Sequence, residues 1–288
     1  MKLPKLENTA DVGILIIVLM LLGLAVTWPL LGQWEAVRGF GAELLILAVT
    51  FYIARQYLPW EDAPRERIRR PGPELWIGLL GFVVFYIAWP FVAGGGGPVV
   101  FLAPGILAAL TLAALRYGRA AWGLRWPTGR ELIVLAVVAA VAVGLSRLFG
   151  GLLPPSEAQL LATHRPLIPG LMLDFSQIGA NLLPALLIVF LTVIGYELYF
   201  RVFLQTRLAQ VLPGRWALFA QAALYFAGAM LPLLIVSRGD PSVFPPASVL
   251  TQFAMLSNGV LAGYFWRKTG SLPLLVLLHL LAFVRWGL

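Results

Sequence analysis

Nine apolar runs, separated by short polar breaks, succeed one another along the chain. They are Val12 to Leu31, Arg38 to Leu58, Leu75 to Ala93, Pro98 to Leu115, Glu131 to Leu148, Ile178 to Phe203, Trp216 to Val236, Ala247 to Trp266 and Leu272 to Trp286. A transmembrane helix takes about 20 such residues, so nine of them occupy roughly 180 and leave little room for anything else. No soluble catalytic domain fits in the remainder. The first run follows Lys2 and Lys5, is longer than a signal-peptide core and precedes no small-x-small cleavage pattern, so it reads as a retained span. The pattern predicts an all-α fold, a polytopic membrane helical bundle of about nine transmembrane helices.

The breaks carry the topology. If the N-terminus is inside, the inner segments hold 16 of the 21 basic residues and the outer ones only Arg38, Arg147, Arg165, Arg238 and Arg285. Lys and Arg collect in cytoplasmic loops, so this asymmetry supports both the number of spans and an inside N-terminus with an outside C-terminus. Trp28, Trp34, Trp60, Trp76, Trp122, Trp126, Trp216, Trp266 and Trp286 fall at or just beyond the span ends, where indole rings favour the interface; Trp89 lies within a run. No internal repeat is visible. Gly94 to Gly97 reads as a hairpin turn, without the lysine of a phosphate loop. Gly150 to Gln177 is the longest outer loop, and its Pro154-Pro155-Ser156-Glu157 start suits the cap of a short surface helix.

Composition agrees: of 288 residues 60% are apolar and 12% charged, and the mean hydropathy is +0.87. With no cysteine there is no disulfide, thiolate metal site or cysteine nucleophile, and two histidines do not make a three-histidine zinc site. No cofactor or metal is expected. The net charge of +8 is dispersed between apolar spans, a topology signal and not a nucleic-acid surface. The expected partner is the lipid bilayer.

Ionisable groups inside spans are costly and are therefore functional candidates. Glu43 lies near the outer surface, and Glu131 opens the fifth span where a carboxylate suits the helix dipole. Glu197 and Arg201, four residues apart near the inner end of the sixth span, are spaced for an ion pair on one helix face. His279, two turns into the last span, sits at a comparable depth. Gly259 and Gly263 form a GxxxG, and Ala222, Ala223, Ala227, Gly228 and Ala229 give the seventh span a small-residue surface. The last four spans are expected to form a close-packed core around Glu197, Arg201 and His279.

The stretch Tyr196-Glu197-Leu198-Tyr199-Phe200-Arg201-Val202-Phe203-Leu204-Gln205 resembles the first motif of the CAAX-protease and bacteriocin-processing (CPBP, or Abi) membrane proteins, Glu-Glu-x-x-x-Arg with a following Leu-Gln. Phe226 to Met230 resembles the second, Phe-x-x-x-His. Gly270-Ser271 leading to His279-Leu280-Leu281-Ala282-Phe283 resembles the third, a Gly-Ser turn and then His-x-x-x-Asn. The resemblance covers about Leu182 to Val284. It implies a CAAX-protease-like membrane core over 131–288, with 1–130 as accessory transmembrane helices, in a prokaryotic cytoplasmic membrane. In the family the first glutamate and first histidine activate water, and the last histidine and asparagine stabilise the oxyanion. Glu197, Arg201 and His279 remain as a remnant catalytic set, whereas Tyr196, Met230 and Phe283 replace the first glutamate, the first histidine and the asparagine.

Neither a phenol with a pKa near 10 nor a thioether replaces a Glu/His base pair. Phe283 removes an oxyanion donor, which elsewhere contributes on the order of 3 kcal/mol. The leading expectation is thus a degraded enzyme acting as a membrane binding or scaffold subunit. Its apolar groove, lined by Tyr196, Met230 and Phe283, would take a helix, lipid, isoprenoid or pigment, or its surface would hold a membrane complex together. The alternative is an active intramembrane endopeptidase for prenylated or membrane-embedded peptides, in which Glu197 turns from Arg201 and pairs with His279. A small transporter is a third class, disfavoured by the scarcity of charge within the spans.

Overall fold

The computed structural model describes residues 9–27, 33–58, 68–93, 99–151, 190–238 and 246–287, and among them every regular element is helical. The Gly94–Gly97 turn, the Pro154–Glu157 cap and Ile178 lie outside the described residues, as do the side chains of Glu43 and Phe283. The rods are α1 (Thr9–Thr27), α2 (Gln33–Tyr57), α3 (Pro71–Ala93), α4 (Val99–Ala114) and α5 (Gly129–Gly151). They continue with α6 (190–211), α7 (Gly214–Val236), α8 (Pro246–Thr269) and α9 (Leu272–Gly287). Each overlaps one of the apolar runs. Two stretches, Pro71–Ala93 and Trp216–Val236, are long and apolar enough to cross a membrane; Val12–Ala25, Leu44–Tyr57 and Leu102–Ala114 are shorter apolar helices.

Local chemistry sets the ends of these rods. Pro71 occupies the first turn of α3, where its missing N–H costs nothing, and Glu74 accepts from the Arg70 N–H at 3.1 Å. At α5 the Thr128 N–H donates to Glu131 Oε2 (2.7 Å) while the Glu131 N–H donates to Thr128 Oγ1 (3.3 Å), a reciprocal capping box. Gly270, with φ 59°, closes α8 by donating its N–H to Trp266 O at 2.8 Å.

Two rods widen into π-helix. In α3 the π segment is Val84–Ala88, and the Trp89 N–H reaches Val84 O, five residues back. Pro90 follows immediately; it has no N–H to give and its ring crowds the carbonyl four residues earlier, which favours the wider register. In α6 the π segment is Leu198–Gln205. There Thr206 Oγ1 donates toward Val202 O (2.5 Å) and Phe203 O (2.9 Å), and Arg207 Nη1 reaches the same two carbonyls, so side chains occupy backbone acceptors.

All eight residues of Leu198–Gln205 are buried, which makes α6 the central rod. Within lipid, helices associate through close packing and polar contacts more than through water exclusion, so small residues decide where they cross. Gly105 of α4 lies against the backbone of Gly195 of α6, a crossing that leaves no room for a Cβ. Gly259 meets Ala222 and Tyr225, and Gly263 meets Leu218, Gln205 and Gln221, so the GxxxG of α8 seats α7 as the sequence predicts. On α1, Val12, Ile16, Leu19 and Met20 form a buried helical stripe continuous with the same core.

Three side chains read as loop or interface markers prove to be internal. Arg207 and Lys268 are buried, and Trp266 packs against Gly123, whose φ of 66° holds the turn beneath the indole. Trp76, Trp126 and Trp216 are exposed, as rings at a membrane interface would be.

Candidate functional site

Glu197 is positioned by the last α-helical turn before the π segment of α6, and its carboxylate is 1% exposed. Its Oε1 lies 2.7 Å from His279 Nδ1 on α9, and its Oε2 lies 3.5 Å from Arg201 Nε, one turn along α6. An ionised carboxylate only accepts, so the proton between Glu197 and His279 sits on Nδ1 when the imidazole is neutral. Glu197 thus faces His279 with one oxygen and Arg201 with the other.

The Arg201 guanidinium stacks on the Tyr225 ring of α7, with Cζ 4.1 Å from the centroid. Tyr225 also stands edge-on to the imidazole of His279, at 6.5 Å between centroids. The three polar residues and Tyr225 therefore form one unit spanning α6, α7 and α9. His279 is its most accessible member, with 14% of its side chain exposed.

Tyr196 packs against the Tyr225 side of this unit. It is 4% exposed and packs among Phe200 (5.1 Å), Tyr225 (5.5 Å, edge-on) and Tyr86 (6.4 Å, edge-on). Tyr86 comes from the π segment of α3 and also touches Tyr199 and Phe200, so both widened segments meet in one aromatic cluster. π-helical insertions commonly accompany functional sites because they re-aim a side chain. Met230 is half-buried on α7. Phe283 lies on α9, with its side chain outside the described residues.

A model of one family matches this region. Residues 178–283 match it. The family is described as Type II CAAX prenyl endopeptidase Rce1-like, and the matched segment, rather more than a third of the chain, contains all three motifs. No curated protein and no solved structure matches the chain. The CAAX-protease resemblance read from the motifs thus agrees with the family model over this segment.

Two further polar clusters anchor that segment, neither predicted from the sequence. Arg207 donates from Nη2 (2.7 Å) and Nε (3.0 Å) to Glu74 Oε2, while the Tyr117 hydroxyl donates to Glu74 Oε1 at 2.7 Å. Burial pulls the Arg207 guanidinium below its ordinary range, against the opposing effect of Glu74. Arg125 pairs with Glu131 and donates to Thr269 O from Nε (3.0 Å) and Nη2 (2.7 Å), and Ser271 Oγ donates to Arg125 O at 2.8 Å. The second cluster ties the turn before α9, and so His279, to the start of α5. A lone acid in the first turn of an apolar run was the only available signal for Glu74, because its partner lies 133 residues away.

Proposed function

We propose that the protein is an integral membrane protein of the Rce1-like kind whose peptidase chemistry has been lost, and that it serves as a binding or scaffold subunit. One observation carries this reading: Tyr196, standing where the resemblance expects the water-activating glutamate, is packed into an aromatic cluster at 4% exposure. A general base must reach the proton that it removes. A buried phenol has neither the basicity nor the access. Met230 offers no proton acceptor at the second motif, and Glu197 is committed to Arg201 and His279.

On this reading Glu197, Arg201 and His279 are an inherited catalytic set turned into a brace that joins α6 to α9. The apolar groove expected from the replacements at the three motif positions takes a hydrophobic chain: a helix, a lipid, an isoprenoid or a pigment. The chain crosses the bilayer nine times with the N-terminus inside. Purification in mild detergent, followed by mass spectrometry of proteins and lipids, tests it. A stoichiometric apolar ligand or membrane partner is expected; a monodisperse protein carrying neither opposes the binding role.

One observation favours an active endopeptidase instead. The 2.7 Å contact of Glu197 with His279 Nδ1 resembles a carboxylate orienting a catalytic imidazole. The readings separate on a prenylated peptide, whose cleavage by the native protein and not by His279→Ala supports the enzyme.

A further inference from the structure

Beyond Glu197 a file of buried polar atoms continues along the inner face of α6. Glu197, Arg201 and Gln205 stand four residues apart, and each is 1% exposed. Gln221 on α7 is fully buried as well. Glu197 Oε2, Arg201 Nε and Nη1, Gln205 Oε1 and both amide atoms of Gln221 make no hydrogen bond among the described residues. Arg201 Nε and Glu197 Oε2 attract one another at 3.5 Å, yet they are not aligned for a hydrogen bond.

These atoms are linked in space. Gln205 Nε2 donates to Gly263 O at 2.9 Å, and the bare face of Gly263 is approached by both Gln205 Oε1 and Gln221 Oε1. The two amides therefore converge at one point on α8. Gly259, one turn before Gly263 on α8, lies against Tyr225, the ring that carries Arg201. The file thus runs from the Glu197–Arg201 level down to the Gln205–Gln221 level, between α6, α7 and α8.

The chemistry of the file selects its occupant. The guanidinium Nε and Nη1 of Arg201 and the amide NH₂ of Gln221 donate; a carboxylate oxygen and two amide oxygens accept. A cation would leave the donors unpaired and meet Arg201 at close range. An apolar chain would satisfy nothing. Water donates and accepts at once, and buried waters typically take about three such partners.

We infer that ordered water molecules occupy this file, forming an internal hydration site that joins Glu197 to Gln205 and Gln221. The site extends from Glu197 toward Gln205 and does not depend on whether the protein cleaves peptides. It gives the buried Glu197–Arg201 pair a solvating shell within the bundle and explains why two glutamines are buried with unpaired amide atoms beside α8.

Millisecond X-ray radiolysis of the full chain in lipid nanodiscs, in H₂¹⁸O, tests this directly. Bound water converted to hydroxyl radical labels the side chains beside it. Tyr225 is expected to take up ¹⁸O, whereas Met20, chemically more reactive but buried on α1 away from the file, is expected to take up none. Absence of label at Tyr225, when exposed rings of the same molecule are labelled, overturns the inference. A second measurement reads the file itself: Gln221→Leu lowers the melting temperature if it strips partners from bound water. It raises that temperature if it merely removes an orphaned amide, which would overturn the hydration site. Should that variant fail to fold, the radiolysis of the unaltered protein decides.

Discussion

Glu197→Gln is the sharpest perturbation of the brace. The native carboxylate is 1% exposed, with His279 at 2.7 Å and Arg201 at 3.5 Å. Glutamine keeps the volume and one acceptor for the imidazole but removes the charge, and Arg201 is left as a buried cation facing only the Tyr225 ring. Breaking a buried pair by deleting one partner costs about 3–5 kcal/mol, and the retained hydrogen bond to His279 places this case near the lower end, about 3. For a chain of this size, at roughly 2 °C per kcal/mol, the melting temperature falls by about 6 °C. Replacing both charges, Glu197→Gln with Arg201→Met, restores most of the loss, because an intact buried pair and a well-packed apolar substitute are close in energy. Thermal unfolding in mild detergent, followed by tryptophan fluorescence, reads the four-protein cycle. A single variant within about 1 kcal/mol of native, well below the cost of a broken buried pair, or a double variant less stable than the single, would refute the claim that the carboxylate and the guanidinium brace one another.

Other positions give independent readings. Arg207→Met strands the Glu74 carboxylate among Tyr117 and the Arg70 N–H and is expected to cost about 3–5 kcal/mol in the same unfolding assay; a neutral result would show that the bidentate pair contributes little. Gly105→Leu drives a side chain into the backbone of Gly195 and is expected to abolish the monodisperse peak in size-exclusion chromatography, whereas Gly144→Leu, whose bare face meets nothing within 4 Å, leaves it unchanged. Burial raises the Tyr117 phenol above its ordinary range. Its contribution is therefore fully present below about pH 10 and is lost as pH rises through the raised folded value. Tyr117→Phe is expected to flatten alkaline unfolding over that interval, and an unaltered pH profile would contradict this.

The helical character of the chain was legible because apolar runs of near-constant length have few other solutions, although the sixth run ends at Phe203 and α6 continues to 211. The pairing of Gly259 and Gly263 with the small face of α7 was also legible, since small-x-x-x-small spacing states a close approach by itself. Glu197 and Arg201 announced themselves by spacing along one helix, and His279 by its depth. What stayed hidden was contact between distant segments. Nothing local says that Glu74 meets Arg207, that Arg125 reaches Thr269, or that Gly105 crosses Gly195. The π segments were hidden too, although Pro90 marks the end of one. The positive-inside count treated Arg207 and Lys268 as solvated charges, because a side chain buried by tertiary contact looks the same in sequence as one facing water.

The central claim is that this Rce1-like segment keeps its architecture without its hydrolysis. The most direct measurement incubates the purified full chain in nanodiscs with a farnesylated peptide ending in a CAAX sequence and follows release of the terminal tripeptide by mass spectrometry. Glu197→Gln serves as the background, and the triple variant Tyr196→Glu, Met230→His, Phe283→Asn as the restored site. The account predicts no release by the native protein above that background and measurable release by the triple variant. Native cleavage that disappears with Glu197→Gln would contradict it.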